Sequence, residues 1–250
     1  MRVLALVLIA VTACSAQTAG KEVQMRWVFA QGDAANPEFD TATGWHVTLS
    51  EAHIALESIY AFGKDPEDTL ARRLSRLIAP VAHAHGGHDP ATGRPILAEL
   101  LDPPALDLLA PDPQRLPLQA AEAGPIETLK ILIAKPGATL PDELHGAQVY
   151  VRGAAERGEQ RVEFQGGLHL VDTEPARRIE RTDLDEDLAR SPAITIAVRP
   201  EVWFQEAEFE RLAGGDAGAP LEITPDDQVG RAWAIGARSP DAFVIRFGED

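Results

Sequence analysis

Residues 44–62 read GWHVTLSEAHIALESIYAF. Trp45, Val47 and Leu49 share one parity, and Ala52, Ile54, Leu56, Tyr60 and Phe62 share the other. Side chains alternate across a strand, so each half of the run reads as a strand with one apolar side. The switch of parity predicts a bulge or bend near Ser50 and Glu51, which turns both halves toward one core. His46 and His53 then both fall on the outer face, where they can stand near each other.

The same alternation recurs to either side. A first strand is read at 24–31, with Met25, Trp27 and Phe29 inward. Further strands are read at 126–134, at 193–199 with Ile194, Ile196 and Val198 inward, and at 242–247. Residues 147–170 form a hairpin that turns at Glu156, Arg157, Gly158 and Glu159, with Val162 and Phe164 inward. Trp45, Trp203 and Trp233 are assigned to the core. Residues 32–43 read as a loop, and the proline-broken stretch 96–120 as irregular structure laid over the sheet. One helical turn is expected within the charged stretch 172–191, and a strand or short helix at 203–212. Pro225, Asp226 and Asp227 open a short helix that ends near Ile235. Alternating strands, frequent turns and few helical patterns predict a mainly-β fold. The class expected is an antiparallel β-sandwich with short helices in its loops. No βαβ alternation occurs, so a parallel sheet is not expected.

The chain begins with Arg2 and an unbroken apolar run over residues 3–11. That pattern is a signal peptide at 1–13, too short to span a bilayer. Val11, Thr12 and Ala13 lead into Cys14, the one cysteine of the chain. This resembles the bacterial lipobox, in which the cysteine is lipidated and becomes the new N-terminus. The resemblance implies an envelope lipoprotein anchored at Cys14, on the periplasmic side of the outer membrane in a host with two membranes. The mature chain then holds no free thiol and no disulfide. Residues 14–23 read as a tether, and 24–250 as a single β-sandwich domain with a histidine-rich insertion at about 63–100. The formal net charge of −16 makes nucleic acid a poor partner.

The insertion carries the chemistry. Asp65, Pro66, Glu67 and Asp68 start a helix over about 66–78, with Leu70, Leu74, Leu77 and Ile78 at helical spacing. Pro80 stops it, and residues 83–89 read HAHGGHD. Imidazole suits zinc and copper. His83 and His85 point the same way in an extended segment, and Gly86 with Gly87 can fold the chain back to bring in His88. Asp89 offers a fourth ligand or an acceptor for an imidazole N–H. His46 or His53 is a further candidate ligand. His145 and His169 read as surface or sheet-edge residues, and the acidic run at 183–187 as a solvated turn rather than a calcium loop.

His83, His85 and His88 have the histidine spacing of the metallo-β-lactamase motif H-x-H-x-D-H. Gly87 stands where that family has its aspartate, and the flanking pattern is not its αββα sandwich. The likeness is local. A second one covers more of the chain: the lipobox, Gly44, Trp45, Val47 and Leu49, the loop with His83, His85, Gly86 and His88, residues 98–103 with 107–109, and Pro200, Trp203 and Phe204. Together these resemble a group of uncharacterised bacterial lipoproteins, which implies one domain and adds no catalytic residue. Three readings of function follow, in this order. The first is a lipoprotein binding zinc or copper in metal capture, buffering or delivery. The second is a zinc-dependent hydrolase, for which no acid/base group is placed beside the metal, so an enzyme ranks below a binder. The third is a structural or partner-binding envelope lipoprotein.

Overall fold

The computed structural model describes residues 21–31, 37–64, 94–212 and 219–248. In chain order the strands are β1 (Glu22–Gln31), β2 (Glu38–Asp40), β3 (His46–Ile54), β4 (Leu56–Gly63), β5 (Ile96–Leu101), β6 (Leu106–Asp107), β7 (Gln114–Arg115) and β8 (Gln119–Glu122). They continue as β9 (Pro125–Ile133), β10 (Val149–Arg157), β11 (Gln160–Leu168), β12 (Arg178–Arg181), β13 (Glu186–Asp187), β14 (Ala193–Val198), β15 (Leu221–Glu222) and β16 (Phe243–Gly248). The α-helices among the described residues are short: α1 (Glu174–Arg177), α2 (Pro200–Trp203) and α3 (Gln228–Gly236). The fold is mainly β and sandwich-like, as the alternation predicts.

Among the described residues three sheets are formed. One runs β16, β14, β1, β7, with β8 also on β1. The second runs β15, β11, β10, β3, β2, with β6 on β3. The third runs β12, β9, β4, β5, with β13 on β9. Their buried side chains join in one apolar cluster that includes Trp27, Trp45, Ile59, Ile131, Phe164, Ile196, Trp203 and Trp233.

The parity switch is a bulge. Glu51 pairs with Arg152 and Leu49 with Gly153, so Ser50 is the extra residue of β3. Its hydroxyl donates to the Arg152 carbonyl at 3.2 Å. Val47, Leu49, Ala52 and Ile54 are all buried as a result. Gly153 is needed opposite the bulge, because a Cβ there would lie 2.3 Å from the Thr48 carbonyl oxygen and 3.1 Å from the Leu49 Cα. Gly153→Ala is therefore expected to cost about 1–3 kcal/mol by forcing β3 and β10 apart. Urea denaturation measures it, and an unmoved midpoint would mean that the strands separate there at no cost.

A second irregularity corrects the sequence reading. Leu56 pairs with Ile133 and Ser58 with Leu132, which leaves Glu57 as an extra residue in β4. Parity flips again, so Ile59 and Ala61 enter the core. Tyr60 and Phe62, expected inward with Leu56, go to the other side of the sheet, where Phe62 is nonetheless buried. There they stack at 6.0 Å, with Lys130 Nζ over both rings and the Arg94 guanidinium over Phe62.

The sheets are also not purely antiparallel. β1 runs parallel to β14 from Arg26 with Ala193 to Gln31 with Val198, and β11 runs parallel to β15. The long connection between β1 and β14 passes through most of the domain. It is not a local βαβ unit, so alternation of elements gives no sign of it. Two loops also contain strands that local composition hides: β2 within 32–43, and β5 to β7 within 96–120, with β8 beginning at its end.

Other local expectations hold. β10 and β11 form the predicted hairpin, closing at Arg157 with Gln160 around Gly158, whose φ is +61°. α3 starts at the predicted cap, where the Asp227 carboxylate accepts from the backbone N–H of Gly230 and of Thr224. Residues 200–212 form α2 and a 3-10 turn at Phe209–Arg211 rather than a strand.

Candidate functional site

The histidine-rich excursion is rooted in a hairpin. β4 and β5 are antiparallel neighbours, and the backbone N–H of Gly63 donates to the Pro95 carbonyl at 2.9 Å. The insertion read at about 63–100 is thus shorter at its far end, since residues 96–101 belong to β5. His83, His85, His88 and Asp89, the helix read at about 66–78, and Cys14 lie outside the described residues.

His46 and His53 are both on β3, on the side away from the core, because the bulge at Ser50 changes parity between them. They are not neighbours. A strand advances roughly 3.3 Å per residue, which puts the two roughly 20 Å apart, at opposite ends of β3. The structure thus corrects the expectation that they stand close, and one ion can take at most one of them. His46 is exposed, and its Nδ1 is 2.9 Å from Asp40 Oδ1. That contact orients the ring and leaves Nε2 free, the arrangement usual for a metal-ligating imidazole. His53 is half-buried, with Asp107 of β6 and Tyr150 of β10 as its cross-strand partners. Among the described residues no three His, Cys, Asp or Glu side chains converge on one point.

A cleft of about 430 Å³ opens beside the second bulge, lined in part by Glu57, Asp102, Lys135 and Thr139. Beneath it Arg177 is buried, and its guanidinium donates to Glu57 Oε2 and, at 2.7 Å, to the Ile133 carbonyl. Lys135 Nζ reaches Glu57 Oε1 at 2.9 Å. Burial pushes the Glu57 carboxyl up, but Lys135 and Arg177 together outweigh it and hold the group below its ordinary value. Glu57, Lys135 and Arg177 are thus paired with one another.

Sequence reasoning passes over one grouping. His145 and His169 read as isolated surface residues, yet both stand on the face that carries His53, around Tyr150. Strand register sets His53 beside Tyr150, and the 3-10 turn at Asp142–Leu144 sets the His145 ring on it.

No protein-family model matches the chain, and no curated protein matches it. Among solved structures the chain is similar to MbnP from Methylosinus trichosporium, with 12% identity and a TM-score of 0.45 over 92% of this chain and 99% of that one. At that identity and TM-score the likeness transfers nothing to this protein.

Proposed function

We propose that this protein is an extracytoplasmic lipoprotein that binds a transition-metal ion, zinc or copper, for capture, buffering or delivery. Lipid on Cys14 holds it on the periplasmic side of the outer membrane. The observation that carries the reading is the run HAHGGHD at 83–89, three imidazoles and a carboxylate within seven residues. His83, His85 and His88 are the ligands, and Asp89 completes the set or orients a ring. His46 or His53 supplies a further nitrogen. Two features support this. The excursion leaves and rejoins the sheet at paired neighbours, Gly63 and Pro95, which lowers the entropy of closing the loop on an ion. The ring of His46 already has one nitrogen on a carboxylate, so its other nitrogen is presented as a donor.

Calorimetric titration of zinc and copper(II) into the mature chain tests the reading. Imidazoles bind metal only when neutral, so affinity is expected to fall as pH drops through about 6.5. Replacing His83 and His85 together by alanine is expected to weaken binding by more than the roughly 10–100-fold that loss of an outer partner costs. A double variant that binds as tightly as the parent would refute the loop as the site. In the same cells, Cys14→Ser is expected to release the protein from the membrane fraction, and unchanged retention would refute the anchor.

A further inference from the structure

Two of the sheets leave a hollow between them. Phe29 of β1 pairs with Ile196 of β14 in the parallel register, and both are buried, as is Val198. Leu106 of β6 and Leu108, just past it, come from the second sheet and are buried too. These side chains line a cavity of about 230 Å³ that opens to solvent. An apolar cavity of roughly 150 Å³ already takes benzene, so this one has room for a larger body. Ala30, Ala105 and Ala110 complete the wall, and their small side chains leave the space unfilled. The rim carries one sign of charge. Asp107, Asp112 and Gln114 are its polar residues, all exposed, and no lysine, arginine or histidine lines the cavity. Among the described residues neither carboxylate has a cationic partner. Both are nonetheless held in place. Asp107 Oδ1 accepts the Leu109 N–H at 2.9 Å, which fixes that carboxylate on its own turn. Pro111 and Pro113 flank Asp112 and stiffen the backbone that bears it.

We propose that this cavity binds a small organic cation, an ammonium carried on a compact apolar body. The body lies in the hollow against Phe29, Ile196 and Leu108, and the ammonium stays at the mouth with Asp107 and Asp112. A mainly apolar wall with a few polar groups at one end is the usual form of a small-molecule site, and it fixes which end of the ligand enters first. The charge selects the sign. A neutral molecule of the same shape gains the apolar contact alone, and a carboxylate meets two of its own kind. The net charge of −16 adds a long-range attraction for cations. A bare metal ion does not suit the site, because the wall is apolar and no third donor joins the two carboxylates. None of the residues that line the cavity is among the ligands proposed for the histidine loop, so the two proposals fail separately.

Nuclear magnetic resonance titration of the full chain tests this, with a chelator present to keep metal out. The probes are phenethylammonium, its neutral isostere 2-phenylethanol, and methylammonium, which has the charge without the body. Phenethylammonium is expected to shift the methyl signals of Ala30, Ala105 and Ala110 saturably. It is expected to bind roughly fivefold tighter than the alcohol, the scale of two exposed ion pairs. Raising the salt shrinks that preference, since exposed charges are screened. Asp107→Asn with Asp112→Asn is expected to remove the preference and leave the affinity for the alcohol unchanged. Asparagine at 107 keeps an oxygen for the Leu109 N–H. Ala110→Leu, which fills the hollow and keeps both charges, is expected to weaken both phenyl probes several-fold. Three results would overturn the proposal. One is no saturable shift at the three alanines. Another is a preference for the cation that survives in the asparagine variant, which would make it a property of the whole acidic surface. The last is methylammonium binding as tightly as phenethylammonium, which would leave the apolar wall no part.

Discussion

Replacing Trp45 by alanine is expected to lower the stability of the folded chain by about 3–5 kcal/mol, the range for deleting a large buried aromatic. Trp45 is fully buried, and its ring meets the edge of Phe209 with centroids 5.7 Å apart and an interplanar angle of 62°. Phe209 packs in turn on Phe164 at 4.9 Å and on Phe204 at 5.8 Å, and Phe204 stacks on Trp233 of α3 at 5.9 Å. Losing Trp45 therefore opens a cavity at one end of an aromatic chain that ties β3 to the 3-10 turn and to α3. The indole also has polar partners. Nε1 donates to Glu210 Oε2 at 3.1 Å, the Arg157 guanidinium lies 4.5 Å over the ring, and Arg157 pairs with Glu210 at 3.0 Å. Trp45→Phe keeps most of the packing and loses the Nε1 hydrogen bond, so a smaller loss is expected, about 1–2 kcal/mol. Chemical denaturation of both variants measures the effects. A loss below about 1 kcal/mol for Trp45→Ala would show that the aromatic chain does not join these elements.

Arg177→Met is expected to destabilise by about 1–3 kcal/mol, the cost of leaving a buried carbonyl without its donor, since Glu57 is partly exposed and its charge keeps a second cation. Arg177 is 3% exposed, and it serves Glu57 and the Ile133 carbonyl at once. Without it the carbonyl loses a buried donor, and Glu57 keeps only Lys135, which is itself exposed. The pH dependence gives a second readout. The folded-state pKa of Glu57 lies below its ordinary value of 4.5. Its contribution is therefore fully present above that value and is lost as pH falls toward the lowered one. In the Arg177→Met variant the carboxyl loses a cation while keeping its burial, so the stability lost to acid through this window is expected to be smaller than in the parent. Equal acid sensitivity of parent and variant would mean that Arg177 does not hold the Glu57 charge.

Features set by neighbours in the chain are legible in the amino-acid sequence alone. The inward runs of β1, β3, β11 and β14, the bulge at Ser50, the turn at Gly158 and the cap at Asp227 each follow from residue spacing or from one side chain acting on nearby backbone. Burial of Trp45, Trp203 and Trp233 follows from their size and apolarity. The run HAHGGHD is likewise legible, as a donor set, because it is contiguous.

Tertiary structure decides what depends on partners far along the chain. Periodicity states which face of a strand is apolar, but two strands with matching faces can pair in either direction. The parallel match of β1 with β14 is chosen by what their shared core requires. The bulge at Glu57 sits in a run that reads as unbroken, since Leu56 and Ile59 both reach the core only when the register with β9 slips by one. It is fixed by the ladder and by the buried Arg177, a residue 120 positions away. The approach of His53 and His145 to Tyr150 is of the same kind: the register of β3 on β10 sets one beside it, and the 3-10 turn at Asp142–Leu144 sets the other on its ring. Local spacing determines the orientation of a side chain, whereas its neighbours are set by the burial of the whole core.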